Sequence, residues 1–274
     1  MEKLYGLDLF SGIGGITTAL SQWIKPVAYC EFDPYAQGVL LSRMADGQLP
    51  NAPIWDDVTT LRGDMLPHID IIYGGFPCQD ISVAGAGKGL EGKRSGLFFE
   101  IIRLAKEIKP AFLFLENVPA IRTRGLDRVI QELTKIGYDC RWTMLSAEDI
   151  GANHKRQRWF LLAYSRRELR TGGIEQGSYG LEVGKQNADK FERSSEMADT
   201  QCKRLEGRVQ SDVSPDIGER PTKWWDIEPN VGRVAHGIPF RVDRLKGLGN
   251  AVVPLQAKTA FEILLYGKSE CSTG

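Results

Sequence analysis

The chain contains three histidines, and its five cysteines, Cys30, Cys78, Cys140, Cys202 and Cys271, form no CxxC pair. That spacing excludes a disulfide framework and a zinc ribbon, and it fits a reducing compartment. Long apolar runs are missing too, so no transmembrane helix is expected. Met1-Glu2-Lys3 leads directly into a strand rather than a secretory signal, and a cytoplasmic location is expected. Net charge is absent as well: 35 basic residues balance 35 acidic ones, which excludes a generic nucleic-acid coat protein. What is present is ordinary globular material. With 42% hydrophobic and 26% charged residues over 274 positions, the chain can bury a sizeable core.

The first 165 residues alternate between two periodicities. Apolar runs at Leu4 to Phe10, Val27 to Glu31, Ile69 to Tyr73, Ala111 to Leu115, Tyr138 to Leu145 and Arg158 to Tyr164 read as strands. Pro53 to Asp57 reads as a further short strand. Helical patterns occupy Gly15 to Trp23, Tyr35 to Met44, Leu97 to Ile108 and Leu126 to Ile136, and Val252 to Tyr266 reads as a final helix. Continuous apolar strands between helices imply an α/β fold with a Rossmann-like parallel sheet covered on both faces. The division expected is a catalytic and cofactor-binding region over 1–165, a small irregular region over 166–226, and a return segment over 227–274 that packs back on the first. Residues 166–226 are too many for an ordinary structureless loop, and their polar composition is that of a small irregular domain, a long insert or a disordered linker.

Cys78 lies in Gly74-Gly75-Phe76-Pro77-Cys78-Gln79, immediately after a strand. The carboxyl end of a parallel strand is where open α/β sheets place their chemistry. Pro77 fixes one backbone angle and removes one donor, so the thiol sits on a stiff turn. Taken alone, a single cysteine is more often a small buried hydrophobe than a nucleophile. Asp8-Leu9-Phe10-Ser11-Gly12-Ile13-Gly14-Gly15 joins the first strand to the first helix. Glycines there let backbone approach a nucleotide-like ligand, although Thr17 stands where a GxGxxG pattern has its last glycine. Glu31 ends the second strand, where an acid binds ribose hydroxyls or stands exposed, and Asp57 can accept from an adenine amino group. Cations recur at strand ends: Lys88, Lys93 and Arg94 in one glycine-rich loop, Arg122 and Arg124, then Lys155, Arg156 and Arg158. They either line one phosphate-binding cleft or are separate solvated faces.

In order, these elements resemble the cytosine-C5 DNA methyltransferase family. Phe10-Ser11-Gly12-Ile13-Gly14-Gly15 is similar to its first motif, Glu31 and Asp57 fall at the next two, and Pro77-Cys78-Gln79 at the catalytic one. Glu116-Asn117-Val118 is similar to its ENV element and Arg156-Gln157-Arg158 to its RxR element. Arg233 to Gly237 resembles the ninth motif weakly, and Gly249-Asn250-Ala251-Val252-Val253-Pro254 the tenth well. The resemblance covers about residues 4–164 and 228–266. His154 departs from it, standing where many members have Gln.

The resemblance implies S-adenosylmethionine as cofactor, S-adenosylhomocysteine as product, and double-stranded DNA as substrate. Cys78 is then the nucleophile at cytosine C6, Glu116 the donor to N3, and Arg158 and Arg156 contacts to the cytosine O2 or phosphate. Phe10, Gly12, Gly14, Glu31, Asp57, Pro77, Leu97 and Asn250 form the cofactor pocket. The target base leaves the helix, as it does for methyltransferases generally. The loop from Ser82 to Gly96, with Ser82, Lys88, Lys93 and Arg94, is expected to close over DNA. Arg193, Lys203, Arg204 and Arg208 are candidate DNA contacts in 166–226, where solvated surface is an equal reading. No metal is needed, and one monomer holds every motif. The recognition site, the base that takes the C5 proton and the presence of a partner restriction endonuclease stay open. A tRNA cytosine-C5 methyltransferase with the same core is the nearest alternative, and a nicotinamide oxidoreductase or a catalytically dead DNA-binding protein are more distant ones.

Overall fold

The computed structural model describes residues 2–77, 96–166, 203–204 and 251–266, together with positions 243 and 247. Within these residues the strands are β1 (Leu4–Leu9), β2 (Ile24–Cys30), β3 (Ile54–Trp55), β4 (Ile71–Gly75), β5 (Phe112–Asn117), β6 (Tyr138–Leu145), β7 (Arg158–Ser165) and β8 (Lys203–Arg204). They form one sheet in the order β3-β2-β1-β4-β5-β7-β6-β8. The helices are α1 (Gly15–Ala19), α2 (Pro34–Ala45), α3 (Leu97–Ile108), α4 (Ile121–Arg124), α5 (Leu126–Lys135) and α6 (Pro254–Tyr266).

β5 shows why the sheet is covered on both sides. Its successive side chains alternate between two cores, Leu113 and Leu115 in one, Phe112 and Phe114 in the other. The first core is roofed by Phe98, Ile101, Ile102 and Leu104 of α3 and by Val129, Ile130 and Leu133 of α5. The second collects Ile16 and Ala19 of α1 and Ala257, Ala260, Phe261, Leu264 and Leu265 of α6. Phe261 sets its ring edge-on to Phe114 at 5.2 Å and meets Trp23 at 5.3 Å, which docks α6 against the start of the chain.

Three expectations need correcting. The sheet is mixed, because β7 runs antiparallel to both β5 and β6. Residues 146–157 between β6 and β7 hold only the short 3₁₀ turn Glu148–Ile150, so the chain reverses as a hairpin instead of crossing over through a helix. Burial on both faces makes β7 continuously apolar whichever way it points, so composition could not reveal its direction. α1 is also shorter than expected, ending at Ala19 rather than Trp23. β4 runs to Gly75, two residues beyond the expected end and closer to Cys78.

Candidate active site

The carboxyl ends of β1, β2, β4 and β5 lie side by side. Leu9 pairs with Cys30 and with Gly74, and Gly75 pairs with Glu116. Cys78 itself falls outside the described residues, as do Ser82, Lys88, Lys93, Arg94 and Asn250. So do most of region 166–226, the ninth-motif residues and the side chains of Lys203 and Arg204. The chain leading to Cys78 is anchored at Phe76. Asn117, 2% exposed at the end of β5, donates its Nδ2 to the Phe76 carbonyl at 3.2 Å. Its Oδ1 accepts from the Val118 N–H at 2.8 Å, so both ends of the amide are used. The Phe76 ring packs on Phe98 of α3 at 5.3 Å.

Glu116 faces this turn. Burial pushes its carboxyl up from 4.5 to about 7, opposed by the charges of Arg158 and Arg156. Arg158 Nε binds Oε1 at 2.9 Å. Oε2 lies over Gly75, where an added Cβ would come within 2.6 Å of it. Arg156 lends its charge to Glu116 alongside Arg158 and also reaches the chain just before the last helix. Its guanidinium donates to the Ala251 carbonyl, and its φ of 26° is unusual for a residue with a side chain.

The nucleotide-like end of the site is built on β1, β2 and β3. Phe10 and Gly12 both have φ of 55°, and Gly14 has φ of 80°. An added Cβ at Gly12 would meet nothing within 4 Å, so the turn is open on that side. The Gly12 N–H donates to Glu31 Oε2 at 2.7 Å and the Asp33 N–H to Oε1 at 2.8 Å, which fixes the carboxylate at the end of β2. Asp57 Oδ1 accepts from the Thr59 N–H at 2.9 Å and its hydroxyl at 2.8 Å, holding the carboxyl below its ordinary range. From α3, Arg103 braces that turn by donating to the Val58 and Leu61 carbonyls at 2.9 and 2.8 Å. Leu97 begins α3 and packs against the first core.

Three features escaped the sequence. Phe32, next to Glu31, exposes 77% of its surface, an apolar ring presented at the open edge. Arg43 of α2 donates to the Ile13 carbonyl and, at 3.0 Å, to Thr18 Oγ1, bracing the glycine turn from behind. Thr17, where a third glycine was missing, donates its hydroxyl to Asp8 Oδ2 at 2.6 Å and meets Tyr73 Oη at 2.8 Å, tying α1 to the sheet. Arg122, Arg124, His154 and Lys155 are exposed.

A sheet with one reversed strand among the described residues, a glycine turn at β1 and acids at the ends of β2 and β5 define a Rossmann-like α/β domain. Its ligand edge lies at the carboxyl ends of the parallel strands. A profile described as C-5 cytosine-specific DNA methylase matches residues 4–222, and the chain belongs to that family. It is 42% identical over 159 residues to type II methyltransferase M.CviJI of Paramecium bursaria Chlorella virus IL3A, covering 57% of this chain and 42% of that one. It is 34% identical over 171 residues to type II methyltransferase M.HhaI of Haemophilus parahaemolyticus, covering 60% and 50%. The chain thus spans half or less of the length of these curated relatives. In fold it is similar to the Entamoeba histolytica methyltransferase EhMeth, with a TM-score of 0.51, 17% identity, and 60% and 53% of the two chains covered. No helix among the described residues is long and apolar enough to cross a membrane.

Proposed function

We propose that this chain transfers a methyl group to C5 of a flipped-out cytosine in double-stranded DNA through a covalent Cys78 adduct. The observation that most supports this reading is the setting of Glu116. A carboxyl raised to about 7 lies over Gly75, three residues before Cys78, with Arg158 on its other oxygen. Near neutral pH it can hold a proton and hand it to a ring nitrogen.

The residues at the glycine turn fit S-adenosylmethionine. Gly12 leaves open space, Glu31 is aimed by two backbone N–H groups, Asp57 stays ionised, Phe32 offers an exposed ring, and Phe10 is partly buried against the first core. When bound, that cofactor supplies an electrophilic methyl group. Cys78, as thiolate, adds to C6 of the cytosine, and the electron pair of the C5–C6 bond moves toward C5 and the ring. Glu116 donates to N3 and so neutralises the charge that develops. Arg158 keeps the carboxyl oriented and can reach the cytosine O2. After C5 bears the methyl group and loses its proton, the C6–S bond breaks and Cys78 is regenerated. Residues 166–226 are proposed to read the DNA sequence, the place the family resemblance gives to that role.

The test is bisulfite sequencing of genomic DNA from a bacterial host without cytosine methylation, expressing the chain or its Cys78→Ser variant. Protected cytosines in one short context, absent with the variant, are expected. Complete conversion in both samples, with soluble folded protein, overturns the DNA assignment and makes tRNA the next substrate to assay.

A further inference from the structure

Gln256 of α6 is 0% exposed, and its Nε2 donates to the Leu145 carbonyl at 2.8 Å and to the Arg156 carbonyl at 2.9 Å. Both amide hydrogens are thereby used. Leu145 pairs with Arg158 at the end of the β6–β7 ladder, so the two accepting carbonyls flank the point where the hairpin leaves the sheet. The clasp is reciprocal, because the Arg156 guanidinium reaches back to the Ala251 carbonyl just before α6. Between them these bonds hold Arg156 at φ 26°, a sparsely populated backbone region for a residue with a Cβ. Two residues later Arg158 meets Glu116 at 2.9 Å.

The carboxamide comes at a cost. Its Oε1 has no hydrogen bond among the described residues, and a buried acceptor left unpaired is destabilising. A methionine would fill the same space without that penalty. What the amide adds is its pair of donors, and both are spent on the backbone around the arginines.

We propose that Gln256 is a positioning residue, which fixes the Arg156 backbone from α6 and so sets the direction from which Arg158 reaches Glu116. It touches neither substrate nor cofactor and acts through the hairpin. The inference builds on the methyl-transfer reading, but its geometric part is independent of turnover. Among the described residues, the charged groups facing Glu116 are Arg158 and Arg156, both from the segment entering β7, while β4 presents to it the backbone of Gly75. Loosening that segment therefore weakens the two positive charges that favour the ionised carboxyl.

The experiment compares the full chain with its Gln256→Met variant. In each, the Glu116 carboxyl is titrated by carbon NMR after glutamate labelling, and methyl transfer to DNA is followed across pH. In the variant the Glu116 midpoint is expected to move up by about half a pH unit or more, since the arginines pull it down. Turnover is expected to fall about tenfold, with cofactor affinity within about twofold, as for a side chain acting through its neighbour. The alkaline limb of activity moves with the midpoint. Gln256→His keeps one ring N–H donor, gives an intermediate shift, and carries the test should the Met variant not fold. A lower melting temperature with an unchanged Glu116 midpoint overturns the proposal, because filling and stabilising the core is then all that Gln256 does. A wild-type chain that transfers no methyl group defeats the proposed function and leaves the NMR comparison to decide the positioning.

Discussion

In the proposed function, Glu116 concentrates the chemistry of the site in one carboxyl. It is held from one side by Arg158 and lies close against β4 on the other, and burial keeps its proton on up to about pH 7. The protonated form, which the proposed function needs as donor to N3, exists below that value, so kcat/KM is expected to fall as pH rises through about 7. Glu116→Gln is expected to remove that alkaline limb and to lower kcat by about 10²–10⁴-fold, as the loss of a general acid does. Calorimetry should find its affinity for S-adenosylmethionine unchanged; an unaltered kcat contradicts the role. Gly75→Ala probes the same contact from β4. The new methyl group would come within 2.6 Å of Glu116 Oε2 and push the carboxylate aside. Activity should drop while the melting temperature shifts little, and a fully active variant shows that the carboxyl sits elsewhere. At this scale the sequence was partly legible. Glu116 and Glu31 stood out because strand-end acids are easily read, whereas Phe32 did not, because an exposed ring looks like any other aromatic until its surroundings are known. The RxR pair leaves Arg156 to share the Arg158 site or hold phosphate, and did not reveal its positive φ or its hydrogen bond to the Ala251 carbonyl.

The elements show how a strand order makes neighbours of distant residues. β1, β4 and β5 are adjacent although far apart in sequence, and their ends bring the glycine turn, the Pro77 turn and Glu116 to one edge. α6 locks this edge from behind. Its Phe261, 2% exposed, fits between Phe114 and Trp23. Phe261→Ala is expected to cost about 3–5 kcal/mol in urea unfolding, the usual price of emptying a buried aromatic site. A loss under about 1 kcal/mol contradicts that packing. Helix α3 and strand β6 matched the sequence pattern end to end, because each carries a clear period against solvent or against two cores. The reversed β7 did not, because a strand buried on both faces leaves no alternation to mark its direction.

Across the whole molecule, two buried carboxyls make stability depend on pH. Burial, and more weakly the charge of Glu31, raises Asp8 from 3.8 to about 7, while Thr17 opposes the rise. Glu116 rises from 4.5 to about 7. The folded chain keeps protons that the unfolded chain releases, so their stabilising contribution is complete below about pH 4 and is lost as pH rises through 7. Unfolding free energy from urea titration should therefore be lower at pH 8 than at pH 5, and Asp8→Asn should reduce the difference; a difference that persists unchanged rules out Asp8 as a source. None of this was legible from Asp8 in the sequence, since its burial depends on Thr17 and Tyr73 closing over it. The proposed covalent step would draw on the turn and the acid together, and one experiment addresses it directly. Fluorine at C5 cannot leave as a proton does, so DNA carrying 5-fluorocytosine at the methylated site should arrest the reaction with the C6–S bond intact. Mass spectrometry of the digested complex is expected to find the methylated fluorocytosine nucleotide on the peptide containing Cys78. A complex attached through another residue, or none formed by an enzyme that methylates ordinary DNA, contradicts the account.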